Sequence, residues 1–474
     1  MAETLNVDIC VIGAGSGGLS VAAGASQMGA KTVLIEKHKM GGDCLNTGCV
    51  PSKALLAAGH AAQAIGEAAD FGVHAAAPRI ESRGVYGHIH NTIATIEPND
   101  SIERFEGLGV HVIQAEGRFT RPNEVFAGET TVKARRIVIA TGSRAFVPPI
   151  PGLDGVPYHT NETIFEADTL PDHLIIIGGG PIGIELAQAH RHLGAKVTVL
   201  ELFNVMPKDD PELVAVVRSQ LEKDGIDIIE DIKVNKVEPT SSGIRVTIEQ
   251  NGEDRTIDGS DLLIAAGRVA NVDGLDLEKA GIRYSKKGVD VDARLRTSNK
   301  KVFAIGDVAG GFQFTHVAGY HAGVVIKNAL FRLPAKTDHS TVPWVTYATP
   351  ELAQVGLTEE QARKTHGEIR ILRWPFHEND RALTERQTDG LIKAITTPKG
   401  KILGCGIVGP SAGELIQTWV LAMSQNLKIG AVAQMIVPYP TLGEVSKRAA
   451  GSFYTPSLFS ERTRKIVRFL AKFG

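Results

Sequence analysis

"VDICVIGAGSGGLSVAAGASQMGAKTVLIEK", residues 7–37, changes its period twice. An apolar run, Val7–Ile12, ends in glycines. Small and apolar residues follow at helical spacing, and a second apolar run from Thr32 closes on Glu36. The pattern predicts strand, tight turn, helix, strand. Gly13, Gly15 and Gly18 form G-x-G-x-x-G at the turn. In such a turn the first glycine permits the sharp bend. The second lets a pyrophosphate approach the backbone at a helix N-terminus, and the third lets helix and strand pack closely. An acid at the end of the next strand, here Glu36, accepts from ribose hydroxyls.

The same unit recurs in "HLIIIGGGPIGIELAQAHRHLGAKVTVLE", residues 173–201. Its glycines are Gly178, Gly180 and Gly183, and its acid is Glu201. From Gly13 to Glu36 and from Gly178 to Glu201 the interval is the same, 23 residues. A lone glycine turn would be weak evidence; two with matching acids predict two dinucleotide sites and electron transfer between them. Glu201 is followed by "LFN" with no arginine, so the second site favours a free ribose 2′-hydroxyl. NADH is therefore expected over NADPH.

Bulk composition narrows the class. A formal net charge of −2 offers no footprint for nucleic acid. No apolar stretch is long enough to cross a bilayer. A strand pattern begins at Val7 with no basic leader before it, so a cytoplasmic protein is expected. Of the four cysteines, Cys10 and Cys405 sit in apolar runs and read as core filler. Cys44 and Cys49 lie close together in "GGDCLNTGCVPSKALL", residues 41–56. In a cytoplasmic chain such a pair reads as redox-active or metal-binding, and no second close pair completes a zinc site. A helix is predicted to start near Pro51, which places Cys49 where a helix N-terminus lowers a thiol pKa. A regular helix would hold two residues five apart at about 7.5 Å, too far for a disulfide. The intervening chain must bend, and Gly48 permits that.

With both glycine turns in place, residues 41–56 resemble the active-site segment of the FAD-dependent pyridine nucleotide–disulfide oxidoreductases. That family includes dihydrolipoamide dehydrogenase, glutathione reductase and mercuric reductase. The resemblance extends through "RRIVIATGS" (Thr141, Gly142), "LLIAAGR" (Gly267) and "KVFAIGDVAGG" (Gly306, Asp307). It implies an α/β fold with two Rossmann-like FAD- and NAD(P)-binding domains and a C-terminal α+β dimerisation domain. The implied order is FAD at 1–150 and 271–340, the nicotinamide dinucleotide at 151–270, and dimerisation at 341–474. It further implies that Cys44 and Cys49 form the redox disulfide, with Cys49 facing the flavin and Cys44 exchanging with substrate. Lys53 and Glu185 match the family's lysine–glutamate pair beside the flavin, Asp307 its ribityl-binding acid. Gly42, Glu36 and Gly117 match positions on the FAD path. A homodimer with a shared active site is expected, with no resident metal.

Near the C-terminus the pattern departs. Dihydrolipoamide dehydrogenase and glutathione reductase carry His-Pro-Thr-x-Ser-Glu, in which the histidine serves as acid–base partner of the exchanging thiol and the glutamate orients it. This chain reads "VPYPTLGEVSKRAA", residues 437–450, with Tyr439 at the histidine position and Glu444 in register. A phenol with an ordinary pKa near 10 is a poor base at neutral pH, and acid–base help is typically worth about 10²–10⁴-fold. Mercuric reductase resembles this chain in having a tyrosine there. It also carries a C-terminal cysteine pair, and the tail here, "SLFSERTRKIVRFLAKFG", has none. His377 is the candidate replacement base, though a plain surface histidine is the expected reading.

The activity expected is transfer of two electrons from NADH through FAD to Cys44–Cys49 and on to a small-molecule or metal-ion acceptor. One rival is direct reduction of quinones, dyes or oxygen from the flavin; another is a non-catalytic flavin-bearing subunit. The tail alternates five cations with apolar residues. Such a helix suits an anionic membrane or the dimer surface, and the dimer surface is the expected place.

Overall fold

The computed structural model describes residues 3–473. Contacts divide the chain into two compact units. One takes in the chain up to Leu202 together with Asp231–Asp338; the other takes in Phe203–Glu230 and the chain from His339 onward.

In the first unit the strand Glu3–Ile12 lies parallel between Thr32–Glu36 and Thr130–Ile139. Val110–Gln114 extends the sheet beyond Thr32–Glu36, again parallel. Gly117–Arg121 and Glu124–Ala127 add an antiparallel hairpin to Thr130–Ile139. Val302–Ala304 returns from far along the chain to pair in parallel with the same strand. Where the sheet is covered on both faces its strands run apolar, as at Ile9–Ile12 and Ile137–Ile139. Ile9 and Val11 pack on one side with Leu34 and Val138. Cys10 and Ile12 pack on the other with Val33 and Ile137. Cys10 is thus a core residue, and burial pushes its thiol up to about 12.

A second parallel set, Lys196–Leu200, His173–Ile177 and Asp261–Ile264, holds the second glycine turn. An antiparallel meander, Lys233–Thr240, Gly243–Gln250 and Glu253–Gly259, precedes its last strand.

The second unit is built on five antiparallel strands in the order Pro343–Thr346, Glu351–Gly356, Ile402–Gly409, Leu391–Thr396, Arg370–Pro375. Its core includes Trp419, Phe376, Ile407 and Cys405. Residues 203–230 are fastened to this sheet by charge. Lys393, 5% exposed, holds Asp210 at 2.9 Å, Glu212 at 2.8 Å and Glu359 at 2.7 Å. So many carboxylates around one buried ammonium match its three donors. Among the described residues no helix is long and apolar enough to cross a membrane.

Candidate active site

The two glycine turns have one geometry. A Cβ on Gly18 would strike the carbonyl of Gly13, and a Cβ on Gly183 that of Gly178. The helices Ser16–Gln27 and Pro181–His192 therefore start tight against their strands. The middle glycines face the other way: a Cβ on Gly15 would meet nothing nearer than Gly42 Cα at 3.9 Å, and one on Gly180 nothing within 4 Å. That open side, at a helix N-terminus lined by backbone amides, fits a pyrophosphate in both copies. The acids repeat as well. Glu36 Oε2 accepts from the Ala14 amide at 2.6 Å, and Glu201 Oε2 from the Gly179 amide at 2.6 Å. Each carboxylate braces the residue after the first glycine of its own turn.

Other site residues expected from the sequence lie in the same unit. Gly42 opens the short helix Gly42–Asn46 against Gly15. Thr141 Oγ1 donates to the Asn271 carbonyl at 2.7 Å, which in turn ties the Gly142 loop, since the Asn271 amide donates to the Gly142 carbonyl at 3.0 Å. The carbonyl of Gly267 accepts from the Phe146 amide at 2.9 Å. The Gly306 amide donates to His321 Nδ1 at 3.2 Å. Gly117 begins its strand buried between Ile12 and Ile35. Asp307 Oδ2 accepts from Ser143 Oγ at 2.5 Å, and burial holds its carboxyl above the usual range. Ser143 Oγ also accepts from Arg268 Nε at 2.8 Å, while Arg268 Nη2 lies 2.9 Å from Asp43 Oδ2. Arg268 was legible only as the residue after Gly267; Ser143 and Asp43 carry no signal of their own.

The cysteine segment folds as two helices, Gly42–Asn46 and Cys49–Glu67, broken at Thr47–Gly48. The second starts at Cys49, two residues earlier than the sequence suggests, because Gly48 rather than Pro51 ends the bend. Pro51 is simply its third residue, where its missing N–H costs nothing. The break brings Cys44 and Cys49 together, both as free thiols, with Cys44 half-buried and Cys49 exposed. The neighbouring Cys44 thiol is the largest influence on Cys49 and lowers its thiol to about 6. Thr315 Oγ1, 3.4 Å from Cys49 Sγ, and the Lys53 ammonium act in the same direction. Cys44, beside the more acidic Cys49 and partly desolvated, is raised. The Ser16 and Thr315 hydroxyls also reach Cys44. Thr315 was missed by the sequence reading; it opens the helix Thr315–Ala329, far along the chain. One turn into the cysteine helix, Lys53 Nζ bonds Glu185 Oε2 at 2.6 Å. Glu185 sits on the helix of the second glycine turn, with its side chain only 7% exposed.

In the second unit Tyr439 is exposed, and its hydroxyl donates to Asp380 Oδ2 at 2.7 Å. That carboxylate, followed by the weaker influence of Glu444, holds the phenol above its usual pKa. The hydrogen-bond partner of Tyr439 is therefore Asp380; Glu444 begins the helix Glu444–Ser452. Asp380 had no sequence signal. His377 lies exposed on the turn Phe376–Glu378, just before it.

Residues 7–322 match the family described as pyridine nucleotide-disulphide oxidoreductase, and residues 342–450 match that family's dimerisation domain. The chain belongs to the pyridine nucleotide-disulphide oxidoreductase family. It is 33% identical to a mercuric reductase of Bacillus cereus over 449 residues, 94% of this chain and 71% of that one. It is 34% identical to a dihydrolipoyl dehydrogenase of Rhizobium etli over 479 residues, 96% of this chain and 99% of that one. Among solved structures, LpdA from Mycobacterium tuberculosis is similar at TM-score 0.87 and 26% identity, covering 94% of this chain and 99% of that one. The HOCl-induced flavoprotein disulfide reductase RclA from Escherichia coli, in its Cu(II) complex, is similar at TM-score 0.83 and 27% identity, covering 93% and 98%. The chain is thus a flavoprotein disulfide oxidoreductase of the lipoamide dehydrogenase, mercuric reductase and RclA type. Members of the family depend on FAD and use NAD(P)H.

Proposed function

We propose that this oxidoreductase takes two electrons from NADH through FAD to the Cys44–Cys49 disulfide, and that its final acceptor is a thiol-seeking metal ion. The single observation that carries the reading is the meeting of Cys44 with Cys49 at the start of one helix, where Thr315 Oγ1 lies 3.4 Å from Cys49 Sγ and Lys53 stands one turn along. A hydride brings two electrons and one proton, so opening a disulfide with it yields one thiol and one thiolate. Cys49, lowered to about 6, suits the thiolate of that product, and Cys44, which is raised, suits the thiol.

FAD, when bound, supplies two-electron transfer between nicotinamide and disulfide. Gly13, Gly15, Gly18, Glu36, Gly42, Gly117, Thr141, Gly142, Gly306 and Asp307 would hold it, in segments 1–150 and 271–340, while Gly267 falls in segment 151–270 beside the second turn. Gly178, Gly180, Gly183, Glu185 and Glu201 would hold the nicotinamide dinucleotide in segment 151–270, and Glu201 repels a 2′-phosphate, which selects NADH. Lys53, fixed by Glu185, places a cation beside Cys49 and stabilises its thiolate. Segment 341–474 would make the homodimer.

The acceptor follows from what Tyr439 withholds. Its hydroxyl proton is engaged by Asp380 and its pKa is raised, so it neither takes a proton from Cys44 nor gives one to a leaving thiolate at neutral pH. A substrate disulfide needs both services. A metal ion needs neither: it displaces the Cys44 proton to water and accepts electrons as the two sulfurs close again. The mercuric reductases and the Cu(II)-complexed RclA among the relatives support this class.

The test is anaerobic reduction with NADH, then mixing with Hg(II), Cu(II), lipoamide, glutathione disulfide or a quinone, with flavin reoxidation followed by absorbance. Metal ions should reoxidise the enzyme fastest, and Cys44→Ser should abolish that advantage. Faster reoxidation by lipoamide would refute the acceptor class. Undiminished turnover in the double Cys→Ser variant would establish direct transfer from flavin instead.

A further inference from the structure

The chain beyond residue 450 lies outside both family matches, yet it forms a helix of its own, Glu461–Leu470. Ser460 caps it, its hydroxyl accepting from the Thr463 amide at 3.2 Å. With about 100° between successive residues of the helix, Ile466 and Leu470 share one side, flanked by Val467 and Phe469, and Arg462 stands among them. Arg464, Lys465 and Arg468 share the opposite side, and Phe459, Lys472 and Phe473 flank the helix ends. Both sides are open: no residue from Thr455 to Phe473 is buried. Phe473 is 75% exposed, and its ring lies 5.2 Å from that of Phe469. Of the five cations only Arg464 has a carboxylate within reach, Glu461 at 3.6 Å; among the described residues the other four form no ion pair.

An apolar stripe of this size is normally covered. Tail-to-tail pairing of two copies would set five cations against five, which opposes an isologous contact. A surface that is both negative and apolar underneath satisfies both sides at once. We infer that Glu461–Phe473 lies in the interfacial layer of an anionic phospholipid bilayer, with the phenylalanines and aliphatics among the acyl chains and the cations at the headgroups. The enzyme would then work at a membrane surface, held there by this helix.

The test is co-sedimentation of the FAD-loaded protein with large vesicles of phosphatidylcholine alone or mixed with phosphatidylglycerol. Full-length protein should pellet with the mixed vesicles at low salt and be released at about 0.5 M salt, where charges are screened within a few ångströms. Each surface cation contributes about fivefold to such binding, so Lys465→Glu with Arg468→Glu should weaken it at least about tenfold. Ile466→Ser with Phe469→Ser, or truncation after Phe459, should abolish it while flavin content stays unchanged. Equal pelleting of full-length and truncated protein, or pelleting of neither, overturns the inference. So does truncation that splits a dimer in light scattering while full-length protein ignores the vesicles; a second copy would then cover the stripe.

Discussion

The two glycine turns are near copies, and what differs is their company. In each, the third glycine packs on the carbonyl of the first and the closing acid braces the next amide at 2.6 Å. Around the first turn stand sulfur and hydroxyl groups: Gly42 against Gly15, Ser16 reaching Cys44, and Thr315 3.4 Å from Cys49. The second turn instead sends Glu185 from its helix to Lys53. Local chemistry thus repeats the cradle, and tertiary placement assigns one copy to the cysteines and the other to their neighbouring cation. The pair Lys53–Glu185 is the physical link between them.

The sharpest way to break the comparison is to block each turn in the same manner. Gly18→Val forces a side chain into the Gly13 carbonyl and should give protein without FAD, read by its absorbance. Gly183→Val does the same to the second turn but should leave FAD bound and raise the KM for NADH at least about tenfold. Loss of FAD from both would show that the two turns do not serve different dinucleotides.

Next in size is exchange of the acids. Glu201→Arg should turn the coenzyme preference towards NADPH by at least about tenfold in kcat/KM, while Glu36→Gln should leave it unchanged. An unchanged ratio in the first variant would remove the second turn from nicotinamide binding.

Lys53→Met tests the link. It removes the 2.6 Å cationic partner of the largely buried Glu185 carboxylate. The expected loss is about 1–3 kcal/mol in denaturant unfolding, at the low end because Lys53 itself is partly exposed. It should also shift Cys49 alkylation to higher pH, since the ammonium favours the thiolate. Gln at 185 should restore stability without restoring the alkylation profile.

The smallest effect belongs to Thr315. In the reduced enzyme, alkylation of Cys49 should accelerate as pH rises through about 6, because the lowered thiol ionises there. Thr315→Val removes one donor worth about 1 kcal/mol and should move that rise upward by about 0.7 in pH. Thr315→Ser should keep the original profile. A profile unmoved by valine would leave Cys44 and Lys53 as the only groups that stabilise the thiolate.

What was legible in the sequence was whatever local sterics dictate: the two strand–turn–helix units, the acids closing them, and the close cysteine pair. These depend on residues within one turn or one strand, where spacing and space are the same problem. The buried strands were legible too, because a sheet covered on both faces demands continuous apolar runs. Ser143, Arg268, Thr315 and Asp380 were not, since nothing in their own neighbourhoods distinguishes a positioning group from any polar residue. Only the folded chain decided that Thr315 would meet Cys49 and that Glu185 would meet Lys53, across separations no periodicity spans. It also decided that Tyr439 would spend its proton on Asp380. A hydrogen bond needs atoms within about 3 Å, and for residues so far apart in sequence the packing of whole elements alone sets that distance.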